Sequence, residues 1–367
     1  MKILTILGAR PQFIKAAMVS RAVRLFNERA GTDRIVEEIL HTGQHFDDNM
    51  SRTFFEEMDI PEPAIHLGIR GNGPGDAVGR MLIGIDKEIV ARQPDGVLVY
   101  GDTYSTLAGA LAAAQRHVPV AHVEAGLRSF NRRMPEETNR ILTDHVSALL
   151  FCPTRAAMKN LANEGIVRGV HHVGDVMYDA ALAFGSLAER RSTILRDLEL
   201  DSKGYYLATV HRAENADEPR RLGSILAALR ELAGERTVVF PVHPRTRARL
   251  GDGDLGTSSL PSSLRMIDPV SYLDMVQLER NARAILTDSG GVQKEAYFHG
   301  VPCITLRDET EWVETVEAGW NRLAGSDPDR ILAAVRDARA GRPIPDYGRG
   351  ESAAAIIGHL EARSGSA

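Results

Sequence analysis

Thr287-Asp288-Ser289-Gly290-Gly291-Val292-Gln293-Lys294-Glu295 follows the apolar run Ala284-Ile285-Leu286 and leads into a segment that reads as a helix. An apolar strand, a small polar turn with two glycines and then a helix present backbone N–H groups and a positive helix end to an anion. The carboxylate of Glu295, six residues after the serine, falls in that helix, within reach of sugar hydroxyls beside the anion. The segment reads as a seat for a nucleotide diphosphate.

A second set of chemistry-bearing residues lies toward the other end of the chain. Gly8-Ala9-Arg10-Pro11-Gln12-Phe13-Ile14-Lys15 begins after a first apolar run, and Pro11 suits the first turn of a helix. Arg10 then sits at the strand–helix junction and Lys15 about one turn further in. They form either a solvated basic helix start or a pair of cations that neutralises a diphosphate. Gly101-Asp102-Thr103 follows Val97–Tyr100, and His122-Val123-Glu124-Ala125-Gly126 ends the next strand in the same way. Asp102 can cap a helix or face a reacting group; Glu124, at the end of an apolar strand, requires a partner. Between Arg128 and Arg140, Pro135 opens a helix with Glu136 and Glu137 in its first turn, where the helix dipole favours carboxylates in any case. His211 closes a strand in the second half as a proton carrier, a diphosphate contact or a structural histidine. Pro241-Val242-His243-Pro244 repeats that placement at the next strand end.

Such turns need a sheet to hold them. Short Val/Ile/Leu runs read as buried strands at Ile3–Leu7, Val97–Tyr100, Val118–Val123, Leu149–Cys152, Tyr206–Val210, Thr237–Val242, Ile285–Thr287 and Cys303–Leu306. Ala-rich helices such as Ser105–Ala114 and Arg220–Ala233 separate them, which is the pattern of parallel sheets covered on both faces. Each half contains strand, polar turn, helix, Val-Pro and strand, once around Asp102 and once around Ser289. A domain boundary is expected near residues 165–180, and a surface loop at Gly251–Ser263.

Composition bounds the function. At 367 residues the chain is long enough for two or three domains. Its 44 Lys and Arg against 49 Asp and Glu give a net charge of −5, with no basic field for nucleic acid. Two cysteines, Cys152 and Cys303, in apolar surroundings suggest neither a disulfide framework nor a thiolate metal site, and fit a reducing cytoplasm. Met1–Leu7 is too brief for a signal peptide, and no apolar run approaches a membrane span. No GxGxxG follows a strand, and neither GxxxxGK[ST] nor HExxH occurs. No metal or cofactor is expected.

Taken as an ordered set, these segments resemble the non-hydrolysing UDP-N-acetylglucosamine 2-epimerases, relatives of the two-domain GT-B glycosyltransferases. The resemblance runs nearly end to end, from Gly8–Lys15 through Gly101-Asp102-Thr103, His122–Gly126, Pro135-Glu136-Glu137 and His211-Arg212 to Thr287–Glu295. It implies an α/β, GT-B-like fold of two Rossmann-like doubly wound domains with an interdomain cleft. Residues 1–170, joined by a C-terminal helix at 352–363, would carry the acids near the sugar; residues 171–350 would bind UDP. It further implies Asp102, Glu124, Glu136 and His211 as catalytic residues. Arg10 and Lys15 would lie near the diphosphate, Ser289 and Gly290 on phosphate and Glu295 on ribose. Arg140, His243, Tyr272 and Gly291 complete the candidate substrate-binding set.

The implied reaction removes the C2 proton while UDP leaves C1, giving a 2-acetamidoglucal to which UDP adds back after reprotonation on the opposite face. A homodimer acting on a UDP-sugar is implied as well. A hydrolysing epimerase, a GT-B glycosyltransferase and a nucleotide-sugar sensor are the competing readings. Two departures bear on activation by substrate: Thr42-Gly43-Gln44-His45-Phe46-Asp47 lacks the arginine of the family's Gln-His-Arg, and His211-Arg212-Ala213-Glu214 stands for His-Arg-Arg-Glu. The run Arg128-Ser129-Phe130-Asn131-Arg132-Arg133-Met134-Pro135-Glu136-Glu137 also looks like that of epimerases acting on UDP-2,3-diacetamido-glucuronate. Arg132 and Arg133 would then meet a sugar carboxylate, or else form a solvated face.

Overall fold

The computed structural model describes residues 1–32, 34–44, 60–250 and 260–364; His45-Phe46-Asp47 and residues 251–259 lie outside the described residues. The chain divides into two compact units, Met1–Ala180 with Pro345–Ala367, and Ala181–Ile344.

The first unit is built on β1 (Lys2–Leu7), β2 (Val36–His41), β3 (Ile65–His66), β4 (Gly96–Tyr100), β5 (Val120–Val123), β6 (Leu149–Cys152) and β7 (Val170–His172). These strands form one sheet in the order β3-β2-β1-β4-β5-β6-β7, and every pairing is parallel. Ile6, Leu7, Val99, Tyr100 and Leu150 are fully buried, as continuous apolar strands must be when helices cover both faces. The covering helices are α1 (Arg10–Ala30), α2 (Pro74–Arg92), α3 (Tyr104–Gln115), α4 (Pro135–Val146), α5 (Arg155–Asn163) and the start of α6 (Val176–Arg191). β5 begins at Val120, two residues later than the apolar run implies. Pro119 has no N–H to give a ladder, although its carbonyl still accepts from Val97 N at 2.9 Å.

The second unit continues from α6 through α7 (Ile194–Asp197), β8 (Tyr205–Thr209), α8 (Ala213–Ala216), α9 (Pro219–Glu235), β9 (Thr237–Pro241) and α10 (Pro244–Leu250). β10 (Leu264–Ile267), α11 (Tyr272–Asn281), β11 (Ala284–Thr287), α12 (Gly290–Phe298), β12 (Cys303–Thr305), α13 (Val313–Glu317), β13 (Asn321–Leu323) and α14 (Pro328–Arg336) complete it. Its sheet runs β10-β9-β8-β11-β12-β13 and is again parallel throughout.

The last helix, α15 (Ser352–Ser364), belongs to the first unit. Asp179 caps it by accepting from Ser352 N and Ala353 N at 3.2 and 2.8 Å. Ile356, Ile357 and Leu360 are buried, and the His359 ring lies 3.9 Å from that of His171.

Strand order reverses once in each sheet, between β1 and β4 and between β8 and β11. Helices leave such a point in opposite directions, so a crevice opens beyond the carboxyl ends of the two strands. In the first unit those ends deliver Gly8–Lys15 and Gly101-Asp102; in the second they deliver Val210-His211 and Asp288–Glu295.

Candidate active site

In the first unit Gln12 ties the reversal point together. Its Oε1 accepts from Gly8 N and Ala9 N at 2.8 and 2.9 Å, while its amide donates to Tyr100 O and Thr106 Oγ1 at 2.9 and 3.0 Å. The start of α1 is thereby held against the end of β4. One turn into α1, Lys15 Nζ donates to Glu124 Oε2. This is the partner that a carboxylate at the end of an apolar strand requires. Glu124 lies just past β5 with φ +74, and its N–H and that of Ala125 both donate to Phe151 O. Arg10 opens α1, and its side chain lies outside the described structure.

Helix α4 supplies the next layer. Pro135 starts it and places Glu136 and Glu137 in the first turn, with contrasting environments. Glu137 is buried and accepts from Ser129 N, Ser129 Oγ and Phe130 N at 2.9, 3.0 and 2.9 Å. Glu136 is half-buried; partial burial and the Glu136 charge together push the Tyr104 phenol up. Arg140, one turn further, donates to Asp102 Oδ2 at 2.6 Å and to Glu137 Oε2 at 3.0 Å, so its buried guanidinium is shared by two carboxylates. Asn139 donates to Asp102 O at 2.9 Å. Asp102 does not cap α3; Thr103 does, its Oγ1 accepting from Thr106 N at 3.3 Å. The capping alternative for Asp102 therefore falls. The first unit gathers Asp102, Glu124 and Glu136 among elements that meet at one end of the sheet.

In the second unit Asp288 is the organiser. It is fully buried and accepts from His211 N, Arg212 N and Asn215 Nδ2 at 3.0 to 3.1 Å. His211 Nδ1 lies 3.1 Å from its Oδ1. Burial raises this carboxyl, but the His211 contact and charge, Asn215 and the Arg212 amide outweigh it and hold the acid below the ordinary carboxylate range. A carboxylate on one ring nitrogen fixes the imidazole and leaves the other nitrogen for chemistry. The His243 ring stands 5.5 Å from that of His211, and its Nδ1 accepts from Arg245 N at 3.2 Å.

Ser289 caps α12 through Val292 N at 3.4 Å, leaving the Gly290 and Gly291 N–H groups at the helix start. Glu295 Oε1 accepts from Tyr272 Oη at 3.2 Å. A Cβ on Gly291 would lie 3.8 Å from Ser289 Oγ and 3.9 Å from Glu295 Oε2, so the turn and the carboxylate share one small space. A Cβ on Gly290 would fall 2.5 Å from Glu311 Oε1, so a side chain there would have to displace that carboxylate. Glu311 is paired to the buried Arg307 at 3.1 Å, and Lys294 Nζ lies 3.8 Å over the Trp312 ring. Among the described residues no group of three or more His, Cys, Asp or Glu side chains is gathered as for a metal ion.

The sequence reading overlooked Tyr104, the Arg307–Glu311–Trp312 segment and the organising roles of Glu137 and Asp288. Asp288 stands inside the Thr287–Glu295 motif, and an acid directly after an apolar strand is the signal that sequence offers for it.

Residues 28–361 match the family model described as UDP-N-acetylglucosamine 2-epimerase. The chain is 51% identical over 368 residues to the UDP-2,3-diacetamido-2,3-dideoxy-D-glucuronate 2-epimerase of Pseudomonas aeruginosa, covering 98% of this chain and 99% of that one. It is 44% identical to the UDP-N-acetylglucosamine 2-epimerase of Methanocaldococcus jannaschii, with 91% of each covered. Among solved structures, that of the Methanocaldococcus jannaschii UDP-GlcNAc 2-epimerase in complex with UDP-GlcNAc and UDP superposes with a TM-score of 0.91 at 42% identity, covering 99% of this chain and 100% of that one. The Neisseria meningitidis UDP-GlcNAc 2-epimerase bound to UDP-GlcNAc gives 0.87 at 30% identity, with 98% and 99% covered. Two parallel sheets, each with its polar turns at the strand-order reversal, and a family match across nearly all of the chain agree: the protein belongs to the UDP-N-acetylglucosamine 2-epimerase family, with its GT-B-like α/β fold.

Proposed function

We propose that the protein inverts C2 of a UDP-2-acetamido sugar without net hydrolysis, converting UDP-N-acetylglucosamine to UDP-N-acetylmannosamine. The observation that carries this reading is the pairing of unlike chemistries at the two reversal points. The first unit gathers three carboxylates, of which Glu124 and Asp102 are each bonded to a buried cation. The second unit offers a helix N-terminus, a glutamate beside it and a histidine oriented by Asp288. In this assignment Ser289, Gly290 and Gly291 hold phosphate, Glu295 with Tyr272 holds ribose, and His211, His243, Arg10 and Lys15 serve the diphosphate.

The C2 proton is not acidified by a carbonyl, so departure of UDP from C1 has to lead. Cationic and N–H donors at the diphosphate then matter as much as the base. Two proton-transfer groups on opposite faces of C2 are needed to invert it, and Asp102, Glu124 and Glu136 supply them. Incubation in D2O should place deuterium at C2 of recovered substrate with no build-up of UDP. Absence of exchange in every UDP-2-acetamido sugar would refute the reaction, and accumulation of UDP would instead indicate a hydrolysing enzyme.

A second substrate has a specific observation in its favour. Arg132 and Arg133 are exposed, make no ion pair among the described residues and stand on a loop that Glu137 braces, four and three residues before Glu136. Two unpaired guanidinium groups near an acid-rich site suit a sugar bearing a carboxylate, the chemistry named for the Pseudomonas aeruginosa relative. Comparing kcat/KM for UDP-N-acetylglucosamine and UDP-2,3-diacetamido-glucuronate separates the two. The reading extends to a cytoplasmic homodimer, which sedimentation tests. No helix among the described residues is long and apolar enough to cross a membrane.

A further inference from the structure

Asp144 and His122 are both fully buried and belong to neither the diphosphate seat nor the acid set. His122 Nε2 lies 2.7 Å from Gly101 O, a pure acceptor, so that nitrogen carries hydrogen and donates. Nδ1 lies 2.7 Å from Asp144 Oδ1. The other Asp144 oxygen accepts from Gly126 N at 3.1 Å and from Arg128 Nη1 at 2.7 Å. Glu164 in turn holds Arg128 at 2.7 and 2.8 Å.

The two backbone groups reached from Asp144 are not arbitrary ones. Gly101 O belongs to the peptide that leads into Asp102, and Gly126 N lies two residues beyond Glu124. Gly101 has φ +62, and a Cβ on it would sit 3.3 Å from both Glu124 Oε2 and Lys15 Nζ, so this peptide packs directly against the Glu124 carboxylate. One buried carboxylate therefore grips both turns that carry acids, one directly and one through an imidazole.

We propose that Asp144, acting through His122 and the Gly126 amide, is a positioning residue that sets the geometry of Asp102 and Glu124 relative to each other for proton transfer at C2. The proposal rests on the C2-epimerase reading for its kinetic readout, and carries a second readout that does not. In the full chain, His122→Leu and Asp144→Asn should lower kcat about a hundredfold, the scale of an ångström misplacement, while leaving UDP affinity unchanged. His122→Gln can still donate to Gly101 O and should recover about tenfold of that loss, the scale of one hydrogen bond. Equal losses in the Gln and Leu variants, or a loss that only follows melting temperature or UDP affinity, overturn the proposal. If Asp144→Asn fails to fold, the two His122 variants decide. If the wild-type protein turns over no UDP-2-acetamido sugar, the reaction reading fails by itself and amide exchange decides. Faster exchange at Gly126 in Asp144→Asn than at the flanking amides then upholds the grip, and unchanged exchange removes it.

Discussion

Lys15 Nζ donates to Glu124 Oε2 across 109 residues of sequence, and the two side chains are only 9% and 10% exposed. A buried ion pair is weak evidence of net stability, because both ions lose their water. Removing one partner is a different matter, since it strands the other charge in a poor solvent. Lys15→Met should therefore cost about 3 kcal/mol, measured by urea denaturation, and abolish turnover. Adding Glu124→Gln should restore most of the stability and none of the activity. Simple addition of the two costs would show that the pair is not coupled.

Adjacent glutamates on α4 should fail in opposite ways. Glu137 accepts from two backbone amides, the Ser129 hydroxyl and Arg140, and so holds exposed Phe130 at φ +60. Glu137→Ala leaves those buried donors without an acceptor and should cost about 3 kcal/mol. Glu136→Gln should leave the melting temperature within a degree or two of wild type while lowering kcat about a hundredfold. A Glu136→Gln enzyme with full activity would remove that residue from the catalytic set.

Asp288→Asn keeps the shape and one acceptor at the base of the histidine. It removes the charge that fixes the His211 ring, so kcat should fall about a hundredfold with a modest change in stability. Histidine NMR in the free protein checks the cause directly. An unchanged His211 resonance pattern in the variant would mean that Asp288 does not orient the ring.

Acid should weaken the second unit through His299. Burial, aided by the Arg280 and Lys203 charges, pushes this imidazole down from 6.5 to about 3. The unfolded chain then binds the proton more readily than the folded one. The contribution is intact above pH 6.5 and is lost as pH falls from there toward 3, at up to about 1.4 kcal/mol per pH unit. Glu279, 3.7 Å away, is shifted up by burial and by the Glu295 charge, and its contribution has the opposite slope, intact below 4.5 and lost as pH rises from there through its raised folded value. Urea denaturation across pH 6.5 to 4 should give a shallower slope for His299→Asn than for wild type. Equal slopes would sink the assignment.

The legible part of this chain is its interior. Val97–Tyr100 and Ile285–Thr287 announce themselves because a parallel strand buried on both faces has to be continuously apolar. From those strands the doubly wound class and the placement of polar turns at strand ends follow. The outer strands are less readable: Val36–His41 carries two glutamates, Val170–His172 two histidines and Asn321–Leu323 an arginine. Glu37 fits a buried strand with Thr5 Oγ1 donating to it at 2.6 Å, and local sequence does not contain that partner. The site divides the same way. Ser289 and Asp102 stand in recognisable turns and Glu295 in the helix that one of them opens, whereas Asp144 and Glu137 look like helix-surface acids until α4 is docked. Arg140, placed in the substrate-binding set by the resemblance, is enclosed between Asp102 and Glu137, and local sequence does not announce those partners.

The return of α15 to the first unit sets an order of events during synthesis. Ala181–Ile344 is one uninterrupted stretch and can fold as soon as it leaves the ribosome. The first unit, although begun earlier, must wait for Ile356, Ile357 and Leu360 before its apolar surface is closed. Until then that surface is available to chaperones, while the second unit, with its His211–Asp288 pair already joined, can be complete.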